Sequence, residues 1–406
     1  MAPYSSAMPR PADTLPAPAA SGSTSWLRGT NQRRVLELLQ QQPSGTPITQ
    51  AEIARATGLA PATVSNIVRD LGSVGMVETT VGSGRRGTTV RIARGAGLVV
   101  GVDFGHSHVR VVVGDLAGEI LGEDCESITN SHPHDEGLDR VAAILEKLLA
   151  PLGAATHDVL NIGMGLPAPL TENGVVPPSA ILPGWVGVSA RREAAARLGR
   201  PVHVDNDANL GALAEFRHGA GRGHQTMVFV KVSSGVGAGL ILDGSLFRGS
   251  NGTAGEIGHL TIDEQGPLCR CGSRGCLETY ASVGMAQAML AGQLPGANID
   301  EIVAAARAGN VPALRMFEDA GLHLGWGLAM FANLINPSAF IVGGDMARAG
   351  ALLLDPIRTG MRRHALASVS STTEVIGAAL GERASAIGAL LLAIDRTELI
   401  PAHGLP

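Results

Sequence analysis

The hydrophobic positions near the N-terminus predict a series of short helices. Apolar residues at spacing i, i+3 and i+4 indicate the first helix from residue 31 onward, and they are Val35, Leu38 and Leu39. The second helix opens at a capping box of Thr49 and Glu52. Its apolar residues are predicted to be Ile53, Ala54 and Ala56.

A third helix and a hairpin follow. Pro61 suits the first turn of a helix, where its missing N–H costs little. The inward face of this helix is predicted to be Val64, Ile67, Val68 and Leu71. Residues 76–81 and 88–92 are predicted as strands, and GSGRRG forms the turn between them. This order predicts a winged helix-turn-helix.

Such a module fits one helix into the major groove of DNA, where its first residues reach the base edges. Ala62, Ser65, Asn66 and Arg69 point away from the apolar stripe, with Asn66 suited to adenine and Arg69 to phosphate or guanine. The residues predicted to contact DNA are Thr49, Gln50, Pro61, Ala62, Thr63, Ser65, Asn66, Arg69, Arg85 and Arg86. The alternative is a winged helix that contacts protein.

Charge favours the DNA-binding interpretation. Nine arginines and four acidic residues give residues 28–95 a net charge of +5, whereas the whole chain of 406 residues carries −5. A basic module joined to an acidic body indicates a polyanionic partner for the module alone.

Beyond residue 96 the pattern predicts two rounds of alternating strands and helices. The first round begins with a buried strand at Leu98–Phe104 and the second with one at Met227–Val232. In each round a turn and a second, returning strand follow. Two similar rounds predict an internally duplicated α/β body with a central cleft. We expect a disordered tail over 1–27, the winged helix over 28–95, a first lobe over 96–216 completed by the C-terminal helix, and a second lobe over 217–406.

The composition is globular, with 45% hydrophobic and 17% charged residues. The N-terminus lacks the apolar core of a signal peptide, and no stretch reaches the roughly 18 apolar residues of a membrane span. We therefore predict a cytoplasmic protein without a membrane partner.

Three of the four cysteines are crowded into the stretch CRCGSRGCLE. Thiols in the cytoplasm are normally reduced, so metal binding or idle thiols remain as explanations. His259, Cys269, Cys271 and Cys276 supply the four N and S ligands of a closed structural zinc site. Cys125 is expected to be an ordinary core thiol.

The stretch VDNDANLGALAE contains a candidate general base. Asp207 lies at the mouth of a predicted helix, where it could accept a proton from a sugar hydroxyl. The alternative is helix capping by Asn206 or Asp207, and the stretch taken alone favours capping.

From Asn31 to about Ile394 the chain resembles the ROK family of sugar-responsive repressors and sugar kinases. The resemblance rests on GEIGH before CRCGSRGCLE, on NDAN, on GVGAG and on INPSAFIVGGD. It implies an actin/hexokinase-like fold, and the winged helix is similar to the repressor branch. It also implies that sugar hydroxyls contact Asn206, Asp207, Glu256, His259 and Glu278. Asp207 matches the catalytic base of the family kinases, and the zinc loop would hold Glu278 in place.

The chain departs from the kinase pattern at both phosphate turns. His106 and Ser107 stand where the kinases have Gly and Thr, and Ser233-Ser234-Gly235 replaces Gly-Thr-Gly. A bulky ring at position 106 opposes close approach of backbone to phosphate. If the protein were a kinase, ATP with Mg²⁺ would contact Asp103, Gly105, Ser107, Ser234, Gly235, Gly343 and Gly344.

The sequence therefore predicts a sugar-responsive transcriptional regulator, a repressor that binds a double-stranded operator as a homodimer or homotetramer. The alternative is an ATP-dependent sugar kinase that carries a DNA-binding domain. Control of DNA release by a partner protein stays open.

Overall fold

The computed structural model describes residues 24–40, 42, 46–81, 87–129, 131–171, 174–178 and 182–397. Its N-terminal module consists of α1 (Thr24–Gln40), β1 (Ile48–Thr49), α2 (Gln50–Thr57), α3 (Pro61–Ser73), β2 (Val77–Val81) and β3 (Thr88–Ile92). The strands form an antiparallel sheet in the order β1-β3-β2. The predicted helices and hairpin strands are confirmed, and the hairpin turn at 82–86 lies outside the described residues.

Two details of this module correct the predictions. The first helix begins at Thr24, so residues 24–27 belong to α1 and not to the predicted tail, whose residues 1–23 are not described. Ala56 is exposed, and Thr57 takes the buried position instead because its hydroxyl donates a hydrogen bond to the Ile53 carbonyl at 2.6 Å.

The first half of the body is built on a five-stranded sheet. Its elements are β4 (Leu98–Phe104), β5 (His108–Asp115), β6 (Ile120–Ser127), α4 (His134–Leu149), β7 (Val159–Leu166), α5 (Ala190–Leu198), β8 (Val202–Asn206) and α6 (Asp207–His218). The strand order is β6-β5-β4-β7-β8. β6, β5 and β4 pair antiparallel with one another, whereas β7 and β8 run parallel to β4.

The second half repeats this topology. Its elements are β9 (Met227–Val232), β10 (Val236–Leu242), β11 (Ser245–Phe247), α7 (Val283–Leu290), α8 (Ile299–Arg307), α9 (Val311–Ile335), β12 (Ala339–Gly343), α10 (Ala351–His364), α11 (Ala367–Ser370), β13 (Glu374–Gly377) and α12 (Ala384–Asp395). The strand order β11-β10-β9-β12-β13 has the same antiparallel and parallel pairs. The predicted duplicated α/β body is therefore confirmed.

The last helix returns to the first sheet. α12 packs against β4, β7 and α6. A side chain at Gly163 would overlap the Ala389 carbonyl, and one at Gly388 would overlap the Leu210 carbonyl, so glycine allows the backbones to approach. Leu390 and Ile394 of α12 also share one hydrophobic cluster with Val35 of α1. The winged helix and the body are thus packed together through α12.

The prediction for Cys125 is wrong, because its side chain is exposed. Cys125 lies on β6, an edge strand, and falls on the outward phase of the alternation along that strand. No helix in the described ranges combines the length and the apolar character needed to cross a bilayer.

Candidate functional site

A cavity of about 370 Å³ brings the predicted sugar-contact residues together. Its wall contains all five of them, Asn206, Asp207, Glu256, His259 and Glu278. Asn206 and Asp207 come from the β8–α6 junction, and the other three come from the loops between β11 and α7. The wall also contains the cations Lys231 and Arg270, which the sequence reasoning missed. We refer to this cavity as the cleft.

Asn206 has a structural task at the edge of the cleft. Its Oδ1 accepts hydrogen bonds from the backbone N–H groups of Ala208 at 2.9 Å and Asn209 at 3.3 Å, which caps α6. Its Nδ2 donates to the Ala168 carbonyl at 3.2 Å. The capping alternative is therefore confirmed for Asn206.

Asp207 is paired with a cation. Lys231 Nζ, at the end of β9, donates to Asp207 Oδ2 at 2.7 Å and to Ser385 Oγ at 3.2 Å. Ser385 Oγ donates in turn to the Asp207 carbonyl at 3.0 Å. The side chains of Lys231 and Asp207 are only 19% and 10% exposed. The pair thus joins β9 to α6 and α12.

The charge of Lys231 is stabilised by two carboxylates. Burial works to lower the pKa of Lys231, but the attraction of Asp207 and Asp103 outweighs burial and raises this pKa above its ordinary value. Burial also works to raise the pKa of Asp103, but Lys231, His108 and Arg110 together outweigh burial and lower this pKa. Lys231 is therefore protonated at neutral pH, and Asp207 faces a fixed positive charge.

A second ion pair holds Glu278. Arg270 Nε donates to Glu278 Oε1 at 3.1 Å, and Arg270 Nη2 donates to Oε2 at 2.5 Å. Any side chain at Gly235 would overlap this guanidinium, so the turn after β9 allows the pair to form. The carboxylate of Glu278 is only 7% exposed, and a ligand that binds it competes with Arg270.

The four predicted zinc ligands converge. The ligand atoms of His259, Cys269, Cys271 and Cys276 all lie within 4.8 Å of one another. Cys271 Sγ and Cys276 Sγ are 3.7 Å apart, and Cys269 Sγ is 3.6 Å from His259 Nδ1. Zn–S bonds of about 2.3 Å in a tetrahedron place neighbouring sulfurs about 3.8 Å apart. The four residues therefore fit a zinc ion.

His259 connects this cluster to the cleft. Its Nδ1 faces Cys269, whereas its Nε2 lies 3.9 Å from Glu256 Oε2. Its Nδ1 also lies 3.7 Å from Glu278 Oε1, so both ring nitrogens are near a carboxylate of the cleft and Nδ1 also faces a thiol.

The phosphate-turn residues are only partly brought to the cleft. Ser234 and Gly235 line it, together with Ser233. Ser233 Oγ accepts a hydrogen bond at 3.1 Å from the backbone N–H of Asp345, which follows Gly343 and Gly344. Asp103 is buried on β4, while Gly105, His106 and Ser107 form the turn after that strand. Burial, followed by the charge of Arg270, lowers the pKa of His106.

The predicted DNA-reading face of α3 is open. Pro61, Ala62, Ser65, Asn66 and Arg69 are exposed, and Thr63 is partly exposed. Arg69 Nη2 donates to Asn66 Oδ1 at 2.6 Å, so the two side chains are presented together.

The start of α2 offers fewer free groups. Gln50 is partly exposed there, but the Thr49 hydroxyl is engaged with Glu52 in the capping box. Arg85 and Arg86 lie outside the described residues.

Both the body and the N-terminal module match known protein families. Residues 99–396 match the model of the ROK family, and residues 28–87 match the model of the MarR family. The chain belongs to the ROK family. It is 28% identical to the xylose repressor of Bacillus subtilis strain 168 over 364 residues, which cover 88% of this chain and 94% of the repressor. It is 33% identical to the glucokinase of Streptomyces coelicolor over 316 residues, which cover 73% of this chain and 98% of the glucokinase.

Solved structures show the same two kinds of relative. A ROK family transcriptional regulator, described as a homologue of the Escherichia coli Mlc protein, superposes with a TM-score of 0.75 at 26% identity, covering 90% of this chain and 96% of its own. A ROK family glucokinase from Streptomyces griseus, in complex with glucose and AMPPNP, gives a TM-score of 0.65 at 33% identity, covering 74% and 100%. The repressor relatives and the MarR-type module together support a sugar-responsive DNA-binding repressor.

Proposed function

We propose that the protein represses transcription by binding operator DNA through α3, and that a monosaccharide in the cleft releases it. The proposal is supported mainly by one observation: the same helix, α12, contacts both the DNA-binding module and the carboxylate-lined cleft. The acceptors Asp207, Glu256 and Glu278 suit sugar hydroxyls, which are hydrogen-bond donors. As a DNA-binding regulator, the protein would act in the cytoplasm.

The proposed ligand is a neutral sugar of one ring. The cleft volume of about 370 Å³ lies at the lower end of the range of small-molecule sites. The relatives are named for xylose and for glucokinase activity, so xylose and glucose are the first sugars to test. Calorimetric titration should give one saturable site per chain for one of the free sugars tested. Titrations that show no binding for any free sugar would contradict the proposal.

Release would follow from a change in the relative position of the two halves. A sugar that binds one arrangement of the cleft better than the other shifts the equilibrium by its difference in affinity. Lys231 and Ser385 connect the cleft to α12, and Leu390 and Ile394 of the same helix pack in one cluster with Val35 of α1. Movement of α12 would therefore displace the winged helix.

Zinc would be structural. His259 and the three cysteines would fill its tetrahedral coordination, which leaves no position for a substrate. Cys276 is two residues before Glu278, so the metal would fix the carboxylate that Arg270 also holds. We further propose that the protein binds DNA as a homodimer or homotetramer, because operators for winged helices are commonly two-fold symmetric.

A sugar kinase is the second candidate, and the glucokinase relatives favour it. Asp207 stands where the base would act, but Lys231 is bound to its carboxylate and Ser233 is bound to Asp345. Phosphoryl transfer depends on positioning and charge stabilisation around the phosphates, so these altered turns weigh against turnover. Sugar-dependent ATP hydrolysis that disappears in Asp207→Asn would establish the kinase.

A further inference from the structure

A second cavity, of about 440 Å³, adjoins the cleft and shares Asn206 with its wall. Four basic side chains line it, and they come from four different parts of the fold: Arg191 in the first turn of α5, His203 on β8, Arg248 after β11 and Arg396 directly after α12. The proposed sugar function uses none of these four residues. We refer to this cavity as the basic pocket.

The charges in the basic pocket are only partly compensated. Arg248 is neutralised by Asp205, because its Nε and Nη2 lie 2.8 Å and 2.7 Å from Asp205 Oδ2. Among the residues that the structure describes, the guanidinium groups of Arg191 and Arg396 have neither an ion pair nor a hydrogen bond. Within the described part of the chain, two positive charges therefore face the pocket without a counter-ion.

His203 adds a donor without adding a third charge. It is half-buried on β8, and burial, followed by the charges of Arg396 and Arg191, lowers its pKa. A neutral imidazole still offers one N–H donor and one acceptor nitrogen. The pocket thus presents two guanidinium forks and an imidazole on its wall.

We propose that the basic pocket binds the phosphate group of a small phosphorylated metabolite. A phosphate monoester carries a charge of −1.5 to −2 near neutral pH, which the two uncompensated arginines match. Its three oxygens accept the paired N–H groups of guanidinium, which recognise phosphate in bidentate geometry. The volume of the pocket leaves room for the organic part of the molecule beside Leu170 and Gly252.

The site would act on the regulator separately from the sugar. Arg396 is the residue after α12, whereas Arg191 and His203 belong to α5 and β8. A phosphate held by all three would tie the end of α12 to the first sheet. Because α12 also contacts the winged helix, the phosphorylated metabolite would affect DNA binding through the same helix as the sugar.

The test is a titration of the full chain with inorganic phosphate and with glucose 6-phosphate, at constant ionic strength, by calorimetry and thermal unfolding. We expect saturable binding of both, with the sugar phosphate the tighter of the two. Arg191→Gln and Arg396→Gln should each weaken the binding of glucose 6-phosphate by about tenfold or more, since each removes a charge-assisted contact. Arg192→Gln, the next residue on α5, which pairs with Glu193 instead, is the matched control and should bind as the wild type does.

Two further variants separate loss of charge from a disturbed helix end, and binding in the basic pocket from binding in the cleft. Arg396→Lys retains the charge and should bind with intermediate affinity, even if a neutral residue at 396 disturbs the helix end. Glu256→Gln should leave phosphate binding unchanged, because Glu256 lines only the cleft. The proposal is overturned if phosphate and sugar phosphate show no saturable binding, if the arginine variants bind like Arg192→Gln, or if Glu256→Gln abolishes binding.

Discussion

At the scale of single residues, Lys231 determines the charge of the cleft. It bonds Asp207 at 2.7 Å and stabilises the buried carboxylate of Asp103. Without this cation, two carboxylates would share a poorly solvated space, which is unfavourable for both. Lys231 therefore contributes to stability and at the same time occupies the group that a kinase would use as a base.

Replacing Lys231 with Met should lower the free energy of unfolding by about 3 kcal/mol, the usual cost of leaving a buried charge unpaired. Burial already raises the pKa of Asp207, and the loss of Lys231 would raise it further. A carboxyl group whose pKa is raised in the folded state makes the folded protein less stable as the pH rises. The loss of unfolding free energy in the variant should therefore be larger at pH 8 than at pH 5. Urea unfolding measures both effects. An equal deficit at the two pH values would contradict this account of the pair.

A substitution at Glu256 tests the proposed sugar site directly. Glu256→Gln keeps the shape of the side chain but removes the charged acceptor, so we expect sugar affinity to fall by about tenfold or more. Operator affinity without sugar should change by less than about twofold, because Glu256 is remote in the chain from α3 and lines the cleft. Glu264→Gln, on an exposed loop outside the cleft, is the matched control. A normal sugar response in Glu256→Gln would remove Glu256 from the site.

At the scale of elements, the loop of residues 267–278 would link the proposed metal binding to ligand binding. It contains the predicted ligands Cys269, Cys271 and Cys276, and Arg270 and Glu278 lie within or beside it. Backbone hydrogen bonds already order this loop, among them Cys269 N–H to the Ser273 carbonyl and Gly275 N–H to the Pro267 carbonyl, both at 2.8 Å. A metal would add a bond to each of its ligands and make the loop more rigid. A bound metal would therefore further restrict Arg270 and Glu278, which already hold each other at the cleft.

Metal analysis should return about one zinc per chain. Cys276→Ser should lose the zinc, lower the midpoint of thermal unfolding and weaken sugar binding, because Glu278 follows two residues later. Cys125→Ser is the control, since Cys125 is exposed on β6 and should leave the zinc content unchanged. A zinc-free wild type that binds sugar with full affinity would contradict the structural role.

The elements that the sequence predicted share a strong local signal. The capping box at Thr49 and the apolar spacing of α3 depend on neighbouring residues, and both are confirmed. The short edge strands β11 and β13 were missed, because three or four residues carry too little alternation to be recognised. Cys125 was misplaced because whether a strand is central or at an edge depends on its distant partners.

The charged residues of the cleft also differ in how far the sequence alone identifies them. Its acidic residues were found through the resemblance, whereas Lys231 and Arg270 were not. Lys231 is the only charged residue in the apolar strand Met227–Val232, which is the signal that was available. Its partner Asp207 is 24 residues away, and only the fold shows that the two side chains meet.

At the scale of the whole molecule, α12 connects the sensor to the DNA-binding module. Its first turn contacts the cleft through Ser385, it ends at Asp395, and its middle packs on glycines of the first sheet. Its apolar residues belong to the same cluster as those of α1 and α3. A helix that is rigid and packed at both ends can transmit a change at the cleft to the winged helix.

Release of operator DNA by a sugar can be measured by fluorescence anisotropy of the protein on its own upstream DNA, titrated with free sugars and then with sugar phosphates. We expect tight binding without ligand and release by one free sugar, with the apparent Kd for DNA rising by about tenfold or more. Tight DNA binding that no sugar or sugar phosphate disturbs would contradict a sugar-released repressor, and failure to bind DNA would contradict the role of α3.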